Sequence, residues 1–161
     1  MKPTACIETS VVSYLSARPS RDVVVAAYQQ VTRDWWRIAS DRFDLVASAL
    51  VVAEAGAGDA QAAQDRLRAL ETVTLVEATA DAERVAQRPI DNAAVPLQAA
   101  DDAAHIAVTN GVNFLVTWNF RHIANAAIRT RIERTCREAG YEPPVISPNE
   151  LLETDDGNDA P

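Results

Sequence analysis

Short apolar runs alternate with amphipathic stretches along most of this chain. The apolar runs are rich in β-branched residues and predict strands at residues 4–7, 43–47, 72–76, 113–117 and 144–146. Between them, apolar side chains recur every three or four residues, which predicts helices at residues 22–40, 49–55, 59–70, 79–87, 97–110 and 123–139. Strands separated by helices are typical of βαβ units. We therefore predict an α/β fold with a mainly parallel central sheet and helices on both faces.

The predicted helix over residues 22–40 has the most regular period. Its apolar positions, spaced alternately by four and three residues, are Val24, Tyr28, Val31, Trp35 and Ile38. This spacing places them on one stripe, which we expect to face the core. Trp36 lies about 100° away around the helix, so we expect it to be exposed as a surface for a partner or a second copy.

The length of 161 residues fits one domain, to which we assign residues 1–153. The polar, acidic segment 154–161 has nothing to bury and is predicted to be a disordered tail. The N-terminus lacks an apolar signal-peptide segment, and no apolar run approaches the roughly 20 residues that span a bilayer. A cytoplasmic protein without membrane attachment is expected. The two cysteines, Cys6 and Cys136, are predicted to be buried free thiols.

Charge narrows the chemistry that this chain can perform. The formal net charge of −8 argues against a protein that coats nucleic acid through many phosphate contacts. It is compatible with an enzyme whose acidic site holds divalent cations and acts on a phosphodiester. Lys2 is the only lysine, which excludes a catalytic or phosphate-binding lysine in the body of the chain. Contacts to phosphate must therefore come from arginine.

Three acidic residues lie where parallel sheets bind ligands, at or just after the carboxyl ends of strands. Glu8 follows the first predicted strand, Glu54 lies in the helix after the second, and Asp102 is near the start of the 97–110 helix. Carboxylates gathered without a lysine repel one another, and a divalent cation relieves that repulsion. Because Mg²⁺ and Mn²⁺ prefer oxygen ligands, we predict a metal site. The alternative for each acid alone is a solvated carboxylate or a helix cap.

Four short segments resemble the ordered motifs of PIN-domain proteins, and most closely those of VapC-type toxins from type II toxin–antitoxin systems. The segments are residues 6–15, 48–54, 100–107 and 116–119. The resemblance extends over about residues 4–150 in sequence order. It implies a parallel sheet with flanking helices, and Mg²⁺- or Mn²⁺-dependent hydrolysis of RNA phosphodiester bonds.

Carried over residue by residue, the resemblance makes Glu8, Glu54 and Asp102 the first three acids of the catalytic metal site. Asn119 falls where the family usually has a fourth acid, and we predict that it is a fourth ligand. Its amide oxygen brings no charge, so a second metal ion is expected to bind weakly or together with RNA. Glu8 is one methylene longer than the aspartate that the family usually has there.

Residues beside these acids are predicted to contact the substrate. Thr9 and Ser10 match small hydroxyl or amide residues that steady the first acid. Arg121 and His122 follow Asn119, where an arginine and a histidine in a loop can reach an RNA phosphate.

The sequence thus favours a metal-dependent ribonuclease, and the resemblance implies a small antitoxin protein as its partner. A homodimer is compatible with the apolar helix and Trp36. The alternative is a PIN-fold binding module that has lost part of its site and acts through protein partners. The amide at Asn119 and the acidic net charge are consistent with that alternative.

Overall fold

The computed structural model of the protein describes residues 1–76, 111–119 and 148–153, together with residues 130, 133, 134, 137, 140, 145 and 146. Its strands are β1 (Thr4–Ile7), β2 (Asp44–Ser48), β3 (Thr74–Val76), β4 (Phe114–Val116) and β5 (Val145–Ile146). The helices with defined bounds are α1 (Thr9–Ser16), α2 (Val23–Arg42), α3 (Ala49–Ala55), α4 (Ala60–Leu70) and α5 (Pro148–Glu153).

The five strands form one sheet in the order β3-β2-β1-β4-β5, and every neighbouring pair is parallel. The central strand β1 pairs with β2 on one side and β4 on the other, so that Cys6 lies opposite both Val46 and Leu115. The chain therefore builds the sheet outward from β1 in one direction and then in the other. This arrangement confirms the predicted α/β fold with a parallel sheet.

The three middle strands are apolar along most of their length because helices pack around the sheet. Ala5, Ile7, Ala47 and Val116 have no exposed surface. They belong to one core cluster with Val11 and Val12 of α1 and Trp35 and Ala39 of α2. The ends of these strands are therefore held in place by a rigid, closely packed core.

Helix α2 is confirmed, and its predicted core stripe is confirmed in part, since Trp35 is in the core cluster and Tyr28 and Val31 pack against it. The buried positions are Gln29, Thr32, Trp35 and Ala39, whereas 58% of Val24 is exposed. Two of these positions are polar, and burial is tolerated because their groups are hydrogen-bonded. Gln29 Oε1 accepts from the backbone of Ser20 at 3.0 Å, and Gln29 Nε2 donates to the carbonyl of Arg18 at 2.9 Å.

Trp36 is half-buried and packs against the core cluster, so the expectation of an exposed side chain is wrong. Its ring lies edge-on to that of Trp35, with 6.0 Å between the ring centroids. The arrangement gives no direct support to the predicted partner surface at this position.

Side-chain caps begin the helices that the sequence located well. Asp22 accepts hydrogen bonds from the backbone of Val24 and Val25 at the start of α2, and Asp59 accepts from Ala62 at the start of α4. The predicted helices at 79–87 and 97–110, the tail at 154–161 and Cys136 lie outside the described residues. No helix in the described part of the chain is long and apolar enough to cross a membrane.

Two short helices, α1 and α5, were not predicted from the sequence. Helix α5 is held against α2 by Arg42, whose Nη1 donates to the carbonyl of Leu151 at 3.1 Å. Leu151 is buried in the core cluster. Together these contacts fasten the end of the described chain to the long helix.

The Cys6 thiol is buried in the central strand, as predicted, and this burial makes stability depend on pH. Burial raises the pKa of the Cys6 thiol from 9.0 to about 12, and the negative charge of Glu8 adds to the shift. Between these values the unfolded chain loses the thiol proton while the folded chain keeps it. The stabilising contribution is therefore complete below pH 9 and decreases as the pH rises toward 12.

We expect the free energy of unfolding to fall by up to about 1.4 kcal/mol per pH unit above pH 9 because of this thiol. Urea unfolding of the parent and of Cys6→Ala between pH 7 and pH 10.5 measures the effect. The parent should lose stability more steeply than Cys6→Ala. Equal slopes would show that the thiol titrates alike in both states.

Candidate metal site

The carboxyl edge of the sheet between β1 and β4 is the place where the strand order changes direction. Parallel α/β sheets bind ligands at such a point. Glu8 directly follows β1, and Thr117 directly follows β4. The backbone N–H of Glu8 donates to the carbonyl of Val116 at 3.1 Å, which joins the two strand ends. Residues far apart in sequence thus meet at one edge.

The Glu8 carboxylate is held through one of its two oxygens. Glu8 is the N-cap of α1, and its Oε2 accepts from the backbone N–H of Ser10 at 2.9 Å. The same Oε2 accepts from Ser10 Oγ and, at 3.0 Å, from Thr117 Oγ1. Its Oε1 has no hydrogen bond with any described residue. Three donors therefore orient the carboxylate, and Oε1 is left for a ligand.

Both hydroxyls that hold Glu8 are themselves fixed by backbone donors. Ser10 Oγ accepts from the N–H of Trp118 at 2.8 Å, and Thr117 Oγ1 accepts from the N–H of Asn119 at 2.9 Å. Each hydroxyl proton is thereby directed toward the carboxylate. Thr117 is completely buried. No role for Thr117 is predicted from the sequence, where the one indication of such a role is a hydroxyl directly after a buried strand.

The second acid is held by the residue next to Ser10. Thr9 Oγ1 donates to Glu54 Oε2, so two consecutive residues at the start of α1 each hold a different carboxylate. Glu8 and Glu54 both line a cavity of about 30 Å³. That volume is enough for a water molecule or a single ion, since about 10–15 Å³ suffices to hold a water. The structure therefore brings together the two described acids that the sequence predicted.

Helix α3, which carries Glu54, is fixed at both ends. Ser48 caps its start, where the Ser48 Oγ accepts from the N–H of Val51 at 3.3 Å. At its other end, Arg66 Nε donates to the carbonyl of Ala55 at 2.9 Å and Arg66 Nη2 to that of Ala57 at 2.6 Å. These contacts set the position from which Glu54 reaches the cavity.

No described cation balances the charge of the two carboxylates. Neither Glu8 nor Glu54 forms an ion pair with a residue that the structure describes. The single lysine lies elsewhere, since Lys2 Nζ donates to the carbonyl of Ser40 at 2.7 Å. Glu54 is exposed and Glu8 is half-buried, so both carboxylates are open to cations from solvent, whose binding would offset their like charge.

The remaining predicted site residues divide into two groups. Asn119 is half-buried and joined to Glu8 through the shared Thr117 hydroxyl, so it lies at the same edge of the sheet. Asp102, Arg121 and His122 lie outside the described residues and stay predictions. Within the described residues there is no group of three histidine, cysteine or acidic side chains placed to hold a metal.

A larger pocket of about 520 Å³ opens on the other side of Glu8. Glu8 and Tyr14 contribute to one part of its lining, and Val25 and Gln29 of α2 contribute to another. Ligand pockets in proteins commonly measure about 300–1,000 Å³. Glu8 is therefore shared by an ion-sized cavity and a pocket of the size that takes an organic group.

Comparison with known proteins found a similarity in fold but none in sequence. No protein-family model matches the chain, and no curated protein matches it by sequence. Among solved structures, the fold is similar to the crystal structure of VapC20 of Mycobacterium tuberculosis, described as a sarcin–ricin loop cleaving toxin. The match covers 76% of this chain and 95% of VapC20, with a TM-score of 0.50 and 14% sequence identity. The chain therefore has a VapC-like α/β fold, as the motif resemblance implied.

Proposed function

We propose that this protein is a Mg²⁺- or Mn²⁺-dependent ribonuclease that hydrolyses RNA phosphodiester bonds. The observation that carries the proposal is the pairing of Glu8 and Glu54 around one ion-sized cavity at the point where the sheet changes direction. The similarity of the fold to VapC20, a toxin that cleaves the sarcin–ricin loop, supports RNA as the substrate class.

The donor set fits a hard divalent cation. Mg²⁺ is usually bound through one or two carboxylates and keeps several water molecules. Glu8 and Glu54 would each contribute Oε1, since in both residues Oε2 accepts from a hydroxyl. We propose Asp102 as the third carboxylate and Asn119 as a neutral ligand beside them. Three charges rather than four would hold one ion well and a second ion weakly.

The residues of the chain would act mainly by holding and orienting. Thr9, Ser10 and Thr117 donate to Oε2 of the two carboxylates, which would leave Oε1 of each for a metal ion. When bound, a divalent ion makes water a better nucleophile and neutralises charge on the phosphate. Hydrolysis then needs no protein nucleophile. The hydroxyls of Thr9 and Ser10 donate to carboxylates, which places them as orienting groups.

The RNA would bind across Glu8, which lines both the small cavity and the larger pocket. A nucleotide beside the scissile phosphate fits the 520 Å³ pocket between α1 and α2, which Glu8 and Tyr14 line. We propose Arg121 and His122 as contacts to the phosphate, since they lie two and three residues after Asn119 in the sequence.

Removing divalent metal tests this proposal directly. The purified protein should cleave RNA in Mg²⁺ or Mn²⁺, stop when EDTA is added, and recover when Mg²⁺ is supplied in excess, because the acids alone cannot activate water. Cleavage is followed on a gel with labelled RNA. If the parent cleaves unchanged in excess EDTA while Glu8→Gln purified in the same way does not cleave, the activity belongs to this protein without metal, and the proposal is contradicted.

We also propose that the protein is the toxin of a toxin–antitoxin pair, with a small antitoxin protein as partner. Expression of the chain should then arrest growth, and co-expression of a neighbouring short reading frame should restore it. The predicted homodimer can be measured on the same preparations by light scattering. A protein that binds no metal and does not affect growth would favour the alternative, a binding module on the same fold.

A further inference from the structure

A buried hydrogen bond ties the middle of α2 to the segment that follows β4. Trp118 Nε1 donates to Thr32 Oγ1 at 2.6 Å, although the two residues are 86 positions apart. Thr32 is completely buried, and Trp118 is 5% exposed. Thr32 Oγ1 in turn donates to the carbonyl of Tyr28 at 2.7 Å. The hydroxyl therefore both accepts from the indole and donates to the helix backbone.

The segment that Thr32 holds is the one that orients Glu8. The backbone N–H of Trp118 donates to Ser10 Oγ, and its neighbour Thr117 donates to the Glu8 carboxylate. The indole and these two polar groups belong to consecutive residues on one short stretch of backbone. Anchoring the indole to Thr32 therefore helps to hold in place the backbone that carries the groups bound to Glu8 Oε2.

Ring contacts and a hydrogen bond together fix the orientation of this indole. Trp118 contacts the rings of Tyr14 and Tyr28, with 6.1 Å and 4.7 Å between ring centroids. Aromatic pairs favour edge-to-face and offset arrangements over a range of centroid distances, about 4.5–7 Å, so the ring contacts leave the indole some freedom to shift. The N–H···O bond to Thr32 is directional, and its loss would leave a buried donor that must turn toward another acceptor.

We propose that Thr32 is a positioning residue for the metal site, which acts through Trp118 to fix the carboxylate of Glu8. This inference rests on the proposed metal-dependent function. It assigns to the long helix α2 a part in metal affinity, although no α2 side chain lines the ion-sized cavity. Substitution of groups that orient metal ligands commonly lowers metal affinity by about 10–100-fold.

The chain offers a matched control in the same helix. Trp35 is completely buried, and its Nε1 has no hydrogen-bond partner among the described residues. Trp118→Phe and Trp35→Phe therefore make the same chemical change at two buried indoles, and only the first removes a hydrogen bond. Thr32→Ser keeps the hydroxyl that Thr32→Val removes.

The experiment measures Mn²⁺ affinity by isothermal titration calorimetry on the intact protein, without RNA, at a temperature where urea unfolding shows each variant folded. Thr32→Val and Trp118→Phe should each weaken Mn²⁺ binding about tenfold. The double variant should be no weaker than the weaker single variant, because both changes break one bond. Thr32→Ser and Trp35→Phe should stay within about twofold of the parent.

The outcomes separate this inference from the proposed function. If the parent binds Mn²⁺ and both Thr32→Val and Trp118→Phe bind it equally well, the positioning role is overturned and the metal site stands. Equal weakening in Trp35→Phe would also overturn it, since that variant breaks no bond. A parent that binds no Mn²⁺ overturns the metal site and this inference together. If Thr32→Val does not fold, Trp118→Phe against Trp35→Phe decides.

Discussion

Replacement of Glu8 by glutamine should lower RNA cleavage by about a thousandfold while the fold stays intact. The loss of one unit charge at contact distance from a cation is worth about 4 kcal/mol at an effective dielectric constant of about 20, and each 1.36 kcal/mol corresponds to a factor of ten. Desolvation of the carboxylate reduces this figure, so a hundredfold loss is the least that we expect.

The hydrogen bonds around Glu8 make glutamine a particularly poor substitute. Three donors, from Ser10 and Thr117, converge on Oε2. The amide oxygen of glutamine must take that position, because an NH₂ group there would face three donors. Its NH₂ group then occupies the place of Oε1 and points its protons into the cavity. The substitution removes both the charge and the ligand oxygen.

Cleavage rates at several Mg²⁺ concentrations, with urea unfolding on the same samples, measure this effect. Glu71→Gln is the control, because Glu71 is an exposed acid at the end of α4 and lines neither pocket at the sheet edge. The same loss is expected for Asp102→Asn, if the motif register is right. Undiminished cleavage by Glu8→Gln would exclude Glu8 as a ligand.

The elements that the sequence located well are those whose signals are local. Strand β1 is an apolar run that ends at the charged Glu8, and α4 begins at the cap Asp59. Helix α3 lies between its cap Ser48 and Gly56. In each case the residue that begins or ends the element is adjacent to it in sequence, so the sequence alone predicts where the element begins or ends.

Helix α1 was missed because its signals are weak or unusual. It has eight residues, and its buried positions, Val11 and Val12, are adjacent, which shows no helical period. Its cap is Glu8, whereas serine, threonine, aspartate and asparagine are the residues that usually begin helices. The side chain that caps this helix, Glu8, is also a proposed metal ligand.

The buried side of α2 was predicted only in part, for a different reason. Gln29 and Thr32 look solvent-facing by composition, but both are buried through hydrogen bonds to residues outside the helix. The partner of Thr32 is Trp118, which only the crossover to β4 brings near. Such a contact depends on the topology of the fold and cannot be predicted from the local sequence pattern.

The same distinction applies to the candidate site. The sequence predicted Glu8 and Glu54 because both lie near the ends of strands, where parallel sheets bind ligands. It did not predict that Thr117 donates to Glu8 Oε2, since 109 positions separate the two residues. Which carboxylate oxygen remains for a cation is therefore a property of the assembled sheet.

The second large effect is expected in the core, at Trp35 of α2. This side chain has no exposed surface and lies between Trp36 and Phe43, at centroid distances of 6.0 Å and 6.2 Å. Truncation of a buried tryptophan to alanine typically costs about 3–5 kcal/mol, because helix and sheet cannot close the cavity. At about 2–4 °C per kcal/mol, Trp35→Ala should lower the melting temperature by about 6–20 °C.

Trp35→Phe should be far less costly than its lost volume suggests. The Nε1 of Trp35 is buried without a hydrogen-bond partner in the described part of the chain, and leaving such a donor unsatisfied costs about 1–3 kcal/mol in the folded state. Phenylalanine removes that donor while it keeps most of the aromatic contact, so the two changes offset each other. We expect a loss below about 1.5 kcal/mol in urea unfolding, within the range of tolerated core swaps. A loss as large as that of Trp35→Ala would contradict this expectation and indicate that the indole N–H is hydrogen-bonded in the folded protein.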